Sequence, residues 1–174
     1  LGRLMQDPEG LPPHIAEAYG LNVSNVSPAI QAGIEYIRSS YPSLPARAIS
    51  VLEKYVRIVE AGELDPKTQA AYFNSETGIA ITDFSRPVQV LHELGHAIQF
   101  EKRLTTEQIS SAFRRVRDKY NQEDMPTMVW KIVNSTDEPN FQANEWYAVI
   151  FSFAVDQGWN LPRELQAIYT GYLK

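Results

Sequence analysis

Residues 90–98 read Val-Leu-His-Glu-Leu-Gly-His-Ala-Ile, an H-E-x-x-H pattern inside an apolar run with helical spacing. Side chains four apart on an α-helix share a face, with Cβ atoms roughly 5–6 Å apart. His92 and His96 can therefore reach one metal ion at the roughly 2.0–2.1 Å typical of Zn–N bonds. Glu93 stands beside the first ligand, where a carboxylate can hold a water against the metal and take its proton. The alternative is a pair of satisfied histidines on a core-facing helix. With only three histidines in the chain, that coincidence is the weaker reading.

Catalytic zinc usually takes three protein ligands and keeps a fourth position open. The third histidine, His14, lies in an N-terminal segment before a loop. A metzincin would carry its third histidine six residues after the second, and that position is Lys102. A carboxylate on a second helix remains, as in gluzincins. Glu145 is the leading candidate: it sits in Ala143–Phe151 and is the only carboxylate of that apolar helix before Asp156. An ionised carboxylate in such surroundings is costly unless paired or bound to metal. The competing reading has Glu145 facing water in the first turn, where acids are favoured by the helix dipole. Glu138 is the second candidate but sits in a loop, and Asp156 falls late in the helix, as a surface residue would.

HELGHAIQF, a spacer of some fifty residues, and NEWYAVIFSF together resemble the catalytic domain of anthrax lethal factor and its relatives, which include the bacterial Pro-Pro endopeptidases. The resemblance covers roughly residues 70–174. It implies zinc ligands His92, His96 and Glu145, with Glu93 as general base. It also implies an edge strand ahead of the motif helix that holds substrate in extended form, which maps to residues 79–84. Two positions depart from the family. The carboxylate that supports a zinc histidine one turn after the ligand glutamate is Val149 here, leaving Ser152, a carbonyl oxygen or a loop acid for that task. The oxyanion-stabilising tyrosine seven residues before the ligand glutamate is Glu138 here, leaving Tyr72 or Tyr120 as donors.

The elements that must position these groups follow from spacing and punctuation. Pro12-Pro13 opens a short helical stretch closed by Gly20. Ser27 and Pro28 start a helix carrying Ile30, Ile34, Ile37 and Tyr41. A second helix, from Ala46 to Glu60, carries Ile49, Leu52, Val56 and Val59. Asp65-Pro66 starts a short segment through Tyr72. A turn at 74–78 releases a strand from Ile79 to Phe84, after which Ser85 caps the motif helix with Pro87 in its first turn. Thr105-x-x-Gln108 is a capping box for a helix carrying Ile109, Phe113, Val116 and Tyr120. Met125–Asn134 fits a helix, 135–140 a loop, and Ala143–Asp156 a helix apolar on nearly every side, hence buried and central. Gly158 ends it, and a last helix begins near Pro162.

Length and composition fit one domain of 174 residues, 44% hydrophobic, with a helical N-terminal part (1–70) and an active-site part (71–174). The chain begins with Leu1, so it is expected to be a piece of something longer. A net charge of −5 and a pI near 5.2 argue against nucleic acid or an anionic membrane as partner. The basic run 114–119 reads as a solvated helix face. There is no cysteine, which excludes disulfides and thiolate metal sites. No apolar segment approaches the roughly 18 residues that a membrane span needs.

The expected fold is α+β: a mostly helical, zincin-like single domain whose small sheet packs on the motif helix, with the Glu145 helix crossing it. The expected activity is zinc-dependent endopeptidase, acting as a monomer on a peptide or an extended loop of a protein. Substrate would add as a strand along Gly78, Ile79, Ala80, Ile81 and Thr82, provided that strand is an edge. The resemblance implies a secreted toxin or an effector delivered to a host cell, with a host protein as target. Two other classes compete. A metallopeptidase fold that keeps its zinc but serves as a binding module needs the fold without Glu93. An aminopeptidase needs an acidic group for the substrate's free amine, and no second motif of that kind stands beside H-E-x-x-H.

Overall fold

The computed structural model describes residues 28–58, 71–74, 78–81 and 86–173. It is mostly helical. In chain order the elements are α1 (Pro28–Ser40), α2 (Ala46–Tyr55), β1 (Val56–Ile58), β2 (Ala71–Asn74), β3 (Gly78–Ile81), α3 (Pro87–Glu101), α4 (Thr106–Lys119), α5 (Thr127–Asn134), α6 (Ala143–Gln157) and α7 (Arg163–Tyr169). The H-E-x-x-H residues fall in α3 and Glu145 in the first turn of α6. His14, the 12–20 stretch, the 59–70 segment and Ser85 lie outside the described residues.

Each helix buries the stripe that its spacing marks. Ile30, Ile34 and Ile37 of α1 meet Ala48, Ile49, Val51 and Leu52 of α2 in one core with Leu91, Leu94 and Ile98 of α3. Pro28 and Pro45 stand where their fixed φ and missing N–H cost least, at helix starts. The second helix is shorter than its apolar spacing predicts. It stops at Tyr55, and Val56, with φ −73° and ψ 142°, already has extended backbone. Val56 does face the core, as a helical stripe would require, but its β-branched side chain reaches it from a strand.

The three strands are short and pair in the order β1-β3-β2, β1 parallel to β3 and β2 antiparallel to it. Val56 lies opposite Ile79, and Phe73 lies across from Ile79 on the other side. The strand Ala71–Asn74 replaces the capped segment expected to run through Tyr72. Its sequence, Ala-Tyr-Phe-Asn, holds two aromatic residues that suit a pleated surface, and it acquires a partner only when β3 is beside it. Helix α3 lies against both β2 and β3.

The N-cap of α3 is Arg86. The Arg86 N–H donates to the Gln89 side-chain carbonyl at 2.8 Å, and Pro87 occupies the first turn. The capping box at α4 forms as its sequence indicates. Thr105 Oγ1 accepts the Gln108 N–H at 3.1 Å, and the Thr105 N–H donates to Gln108 Oε1 at 2.9 Å. Residues 127–134 are helical, and Gly158 ends α6 in the left-handed conformation at φ 64°.

Helix α6 is the centre of the helical layer. Tyr147, Ala148, Ile150 and Phe151 are fully buried. Tyr147 and Tyr169 stack at 4.3 Å between ring centroids and exchange hydrogen bonds with backbone, Tyr147 Oη to Ile168 O and Tyr169 Oη to Tyr147 O. That reciprocal pair fastens α7 to α6 and satisfies both buried hydroxyls; burial pushes both phenols upward, so they stay protonated. No helix among the described residues is long and apolar enough to cross a membrane.

Candidate metal centre

Helix α3 sorts its residues by face. Val90, Leu91, Leu94, Ala97 and Ile98 go into the core, while His92, Glu93 and His96 are half-buried. The two imidazoles lie edge to face, ring centroids 4.9 Å apart. Helix α6 meets α3 in the most extensive contact between any two elements of the fold. At that crossing Glu145 reaches both histidines: Oε1 is 2.9 Å from His92 Nε2 and Oε2 is 3.1 Å from His96 Nε2. The alternative in which Glu145 only caps a helix toward water does not describe this geometry.

What brings the two helices so close is Gly95. A Cβ placed on it would stand 2.8 Å from Ala148 Cα, 3.2 Å from Ala148 Cβ and 3.3 Å from Ala148 O. The backbones are in direct contact, which only a glycine facing a small residue permits. Gly95 follows His92 by three residues and Ala148 follows Glu145 by three. This close contact of the helices is thus one turn from the candidate ligand residues on each side. Motif reading alone passes over this pair, although a glycine inside an otherwise good helix sequence is a signal of close approach.

The residues present fit a metal ion. One nitrogen from each histidine and one carboxylate oxygen lie within 4.8 Å of one another, and no other described group of three or more His, Asp or Glu does so. A nitrogen, nitrogen, oxygen donor set suits zinc and also other divalent transition metals. The side chains of His92 and His96 are 22% and 21% exposed, that of Glu145 45%, so the cluster lies at a protein surface that solvent and a substrate can reach. Burial lowers the His96 pKa, the nearby His92 lowers it further, and Glu145 opposes both. A neutral imidazole is the form that binds metal.

Of the supporting groups proposed from sequence, Ser152 and Tyr120 are engaged elsewhere. Ser152 is buried and its hydroxyl donates to Val149 O at 3.0 Å, inside its own helix. The short chain of serine finds the carbonyl one turn back before it can reach a histidine on another helix. Tyr120 donates to Glu164 Oε2 at 2.8 Å, on the α4–α7 side of the molecule. Glu138 is exposed in its loop, and Asp156 is exposed and accepts the Tyr41 hydroxyl at 3.0 Å. The Tyr72 side chain lies outside the described residues.

The substrate strand needs a correction. Gly78, Ile79, Ala80 and Ile81 form β3, which is paired on both sides; Thr82 lies outside the described residues. Backbone groups already used by two neighbours cannot accept a peptide as a further strand. Alternation and turn chemistry mark a strand without saying whether it is central, and here β1 and β2 supply a partner on each side. Among the described residues the outer strands are β1 and β2. No family model, curated protein or solved structure matches this chain.

Proposed function

We propose that the chain is a zinc-dependent endopeptidase of gluzincin type, a mostly helical zincin-like domain with its small sheet against the motif helix. One observation carries the reading: the two motif histidines of α3 and the first acid of α6, 49 residues from His96, meet through both oxygens of a single carboxylate. A surface ion pair would not need a glycine-tight helix crossing beneath it. The resemblance to the lethal factor catalytic domain points to the same three ligands.

Zinc held by His92, His96 and Glu145 would lower the pKa of a coordinated water to about 7 and polarise a peptide carbonyl. Glu93, next to His92 and half-buried, is the base that takes the proton of the attacking water. It then delivers that proton to the leaving amine. His96 would bind as the neutral imidazole, the form its depressed pKa favours. An extended peptide adds along an outer strand rather than along β3, and β2 is the outer strand that lies against α3. The setting implied by the resemblance is a secreted toxin or a delivered effector acting on a protein.

A zinc-holding binding module is the second reading, and a specific observation favours it. Two of the polar groups nominated to replace missing family residues, Tyr120 and Ser152, are bonded elsewhere. Mapping new protein termini in a proteome exposed to wild type or to Glu93→Gln separates the two. An endopeptidase yields termini that depend on Glu93, while Glu93→Gln keeps one zinc per chain and the wild-type melting temperature. No Glu93-dependent cleavage, with zinc bound in both proteins, favours the binding module.

A further inference from the structure

Away from the metal centre, two cations share one aromatic ring. The Arg47 guanidinium carbon is 4.7 Å from the Tyr172 ring centroid, and Lys102 Nζ is 5.4 Å from the same centroid. Arg47 is the second residue of α2, and Lys102 follows the last residue of α3. The ring they share is buried. Gly171, with φ 85°, lies directly against the guanidinium: a Cβ there would meet Arg47 Nη1 at 2.8 Å. Both cations thus lie against one ring, Arg47 exposed and Lys102 half-buried, and near enough for the Arg47 charge to act on Lys102.

The ring attracts each cation, but no described carboxylate offsets their mutual repulsion. Among the described residues neither cation has a carboxylate within ion-pair distance, whereas Arg38, Lys54, Arg114, Arg117 and Lys119 each do. The Lys102 ammonium has three donors, and its hydrogen bond is a long one of 3.5 Å to Thr170 O. Burial depresses its pKa and the Arg47 charge depresses it further. The first turn of α2 adds to the positive field, because its cap is Pro45, which gives no side-chain hydrogen bond, and the turn holds no acid. In a chain of net charge −5 this concentration of positive charge is not a consequence of composition.

We propose that Arg47 and Lys102 form a binding site for a dianionic phosphate or sulfate group, distinct from the metal centre. The planar guanidinium offers two parallel N–H bonds to a tetrahedral oxyanion, and the ammonium supplies a second, point-like charge. A dianion matches two cations, where a carboxylate would leave one uncompensated. Lys102 is six residues beyond His96, about 9 Å along the helix axis and about 120° around it, so the anion does not share the zinc-facing surface.

The test uses the whole chain and inorganic phosphate, with chloride holding ionic strength constant and acetate as a monoanion control. Phosphate should raise the melting temperature in a saturable way and shift the side-chain NMR signals of Arg47 and Lys102, with acetate much weaker. Arg47→Gln and Lys102→Gln should each bind phosphate at least about tenfold more weakly, and Arg47→Lys should fall between. Glu145→Ala, which disables the metal centre, should bind phosphate as wild type does. The site is refuted if phosphate acts no differently from chloride, or stabilises the two glutamine variants as much as wild type. Equal binding of acetate overturns the dianion, and loss of phosphate binding in Glu145→Ala moves the anion to the metal centre.

Discussion

The contact between Gly95 and Ala148 can be tested quantitatively, because substitution there has opposite effects on helix propensity and on the metal centre. Gly95→Ala removes a glycine from the middle of α3, which alone favours the helix by about 1 kcal/mol. The new methyl must then find room beside Ala148 Cα at 2.8 Å, where ordinary contact starts near 3.4 Å. The crossing has to open by about 0.6 Å, the difference of those distances. Overpacking of this kind costs typically about 1–3 kcal/mol, so net stability should fall by only about 0–2 kcal/mol. The metal centre is far less tolerant. Its proposed ligands sit on the two helices being parted, and bond lengths at a metal site hold to about 0.2 Å. Zinc affinity should therefore drop by about 10–100-fold, the range found when groups that orient metal ligands are removed.

Competition against a chromogenic chelator reads the affinity, and urea melts of the zinc-free chain read the stability. Adding Ala148→Gly to Gly95→Ala should rescue only part of the loss. It clears the Cβ contact at 3.2 Å and leaves the backbone contacts with Ala148 Cα and O. Wild-type zinc affinity in Gly95→Ala, with the protein folded, would mean that the crossing does not set the ligand geometry.

Three further outcomes follow from the same geometry. Glu145→Ala should lose most zinc by metal analysis of the dialysed protein yet remain folded, since the side chain is 45% exposed; full zinc retention would remove Glu145 from the ligand set. Proline at Ala80 or at Ile81 should unfold the protein in both cases, because β3 is bonded on both sides; of Tyr72→Pro and Phe73→Pro, one should remain folded and lose peptide turnover, because alternate N–H groups of an outer strand point outward, and circular dichroism with a peptide assay distinguishes them. The Lys119 ammonium, with further hydrogen bonding that includes Tyr120, holds the Glu164 carboxylate at about 2, below its usual 4.5. A depressed carboxylate stabilises the fold above its unfolded pKa and loses that contribution as pH falls from 4.5 toward 2, so urea melts of wild type and Glu164→Gln should differ at pH 7 and converge near pH 2, and a pH-independent gap would refute the pairing.

What the sequence makes legible is whatever has a local cause. His92 and His96 share a face because a helix has 3.6 residues per turn. Thr105 and Gln108 cap α4 through groups three residues apart. Gly158 ends α6 because it alone accepts φ 64° there without strain. Glu145 was readable for a different reason: it is the lone acid near the head of an apolar helix, and the fold sets it against both motif histidines instead of toward water alone. The misreadings share a cause that is not local. Val56 satisfies a helical stripe and a strand equally well, and its pairing with Ile79 decides between them. Ala71–Asn74 becomes a strand only because β3 lies beside it. The openness of β3 depended on β1, which the sequence had assigned to a helix, so the error at Val56 carried directly into the error about substrate docking. Ser152 and Tyr120 show the complementary limit. Residue type says that a hydroxyl can donate, but whether it reaches a zinc histidine depends on a nearer acceptor, and Val149 O and Glu164 are nearer. The proposed metal ligands His92, His96 and Glu145 escape this ambiguity because their positions are fixed by two helices whose contact admits no side chain at Gly95. The steps that depend on peripheral strands and loops, substrate binding and oxyanion stabilisation, are the ones on which an active enzyme and a zinc-holding binder would differ.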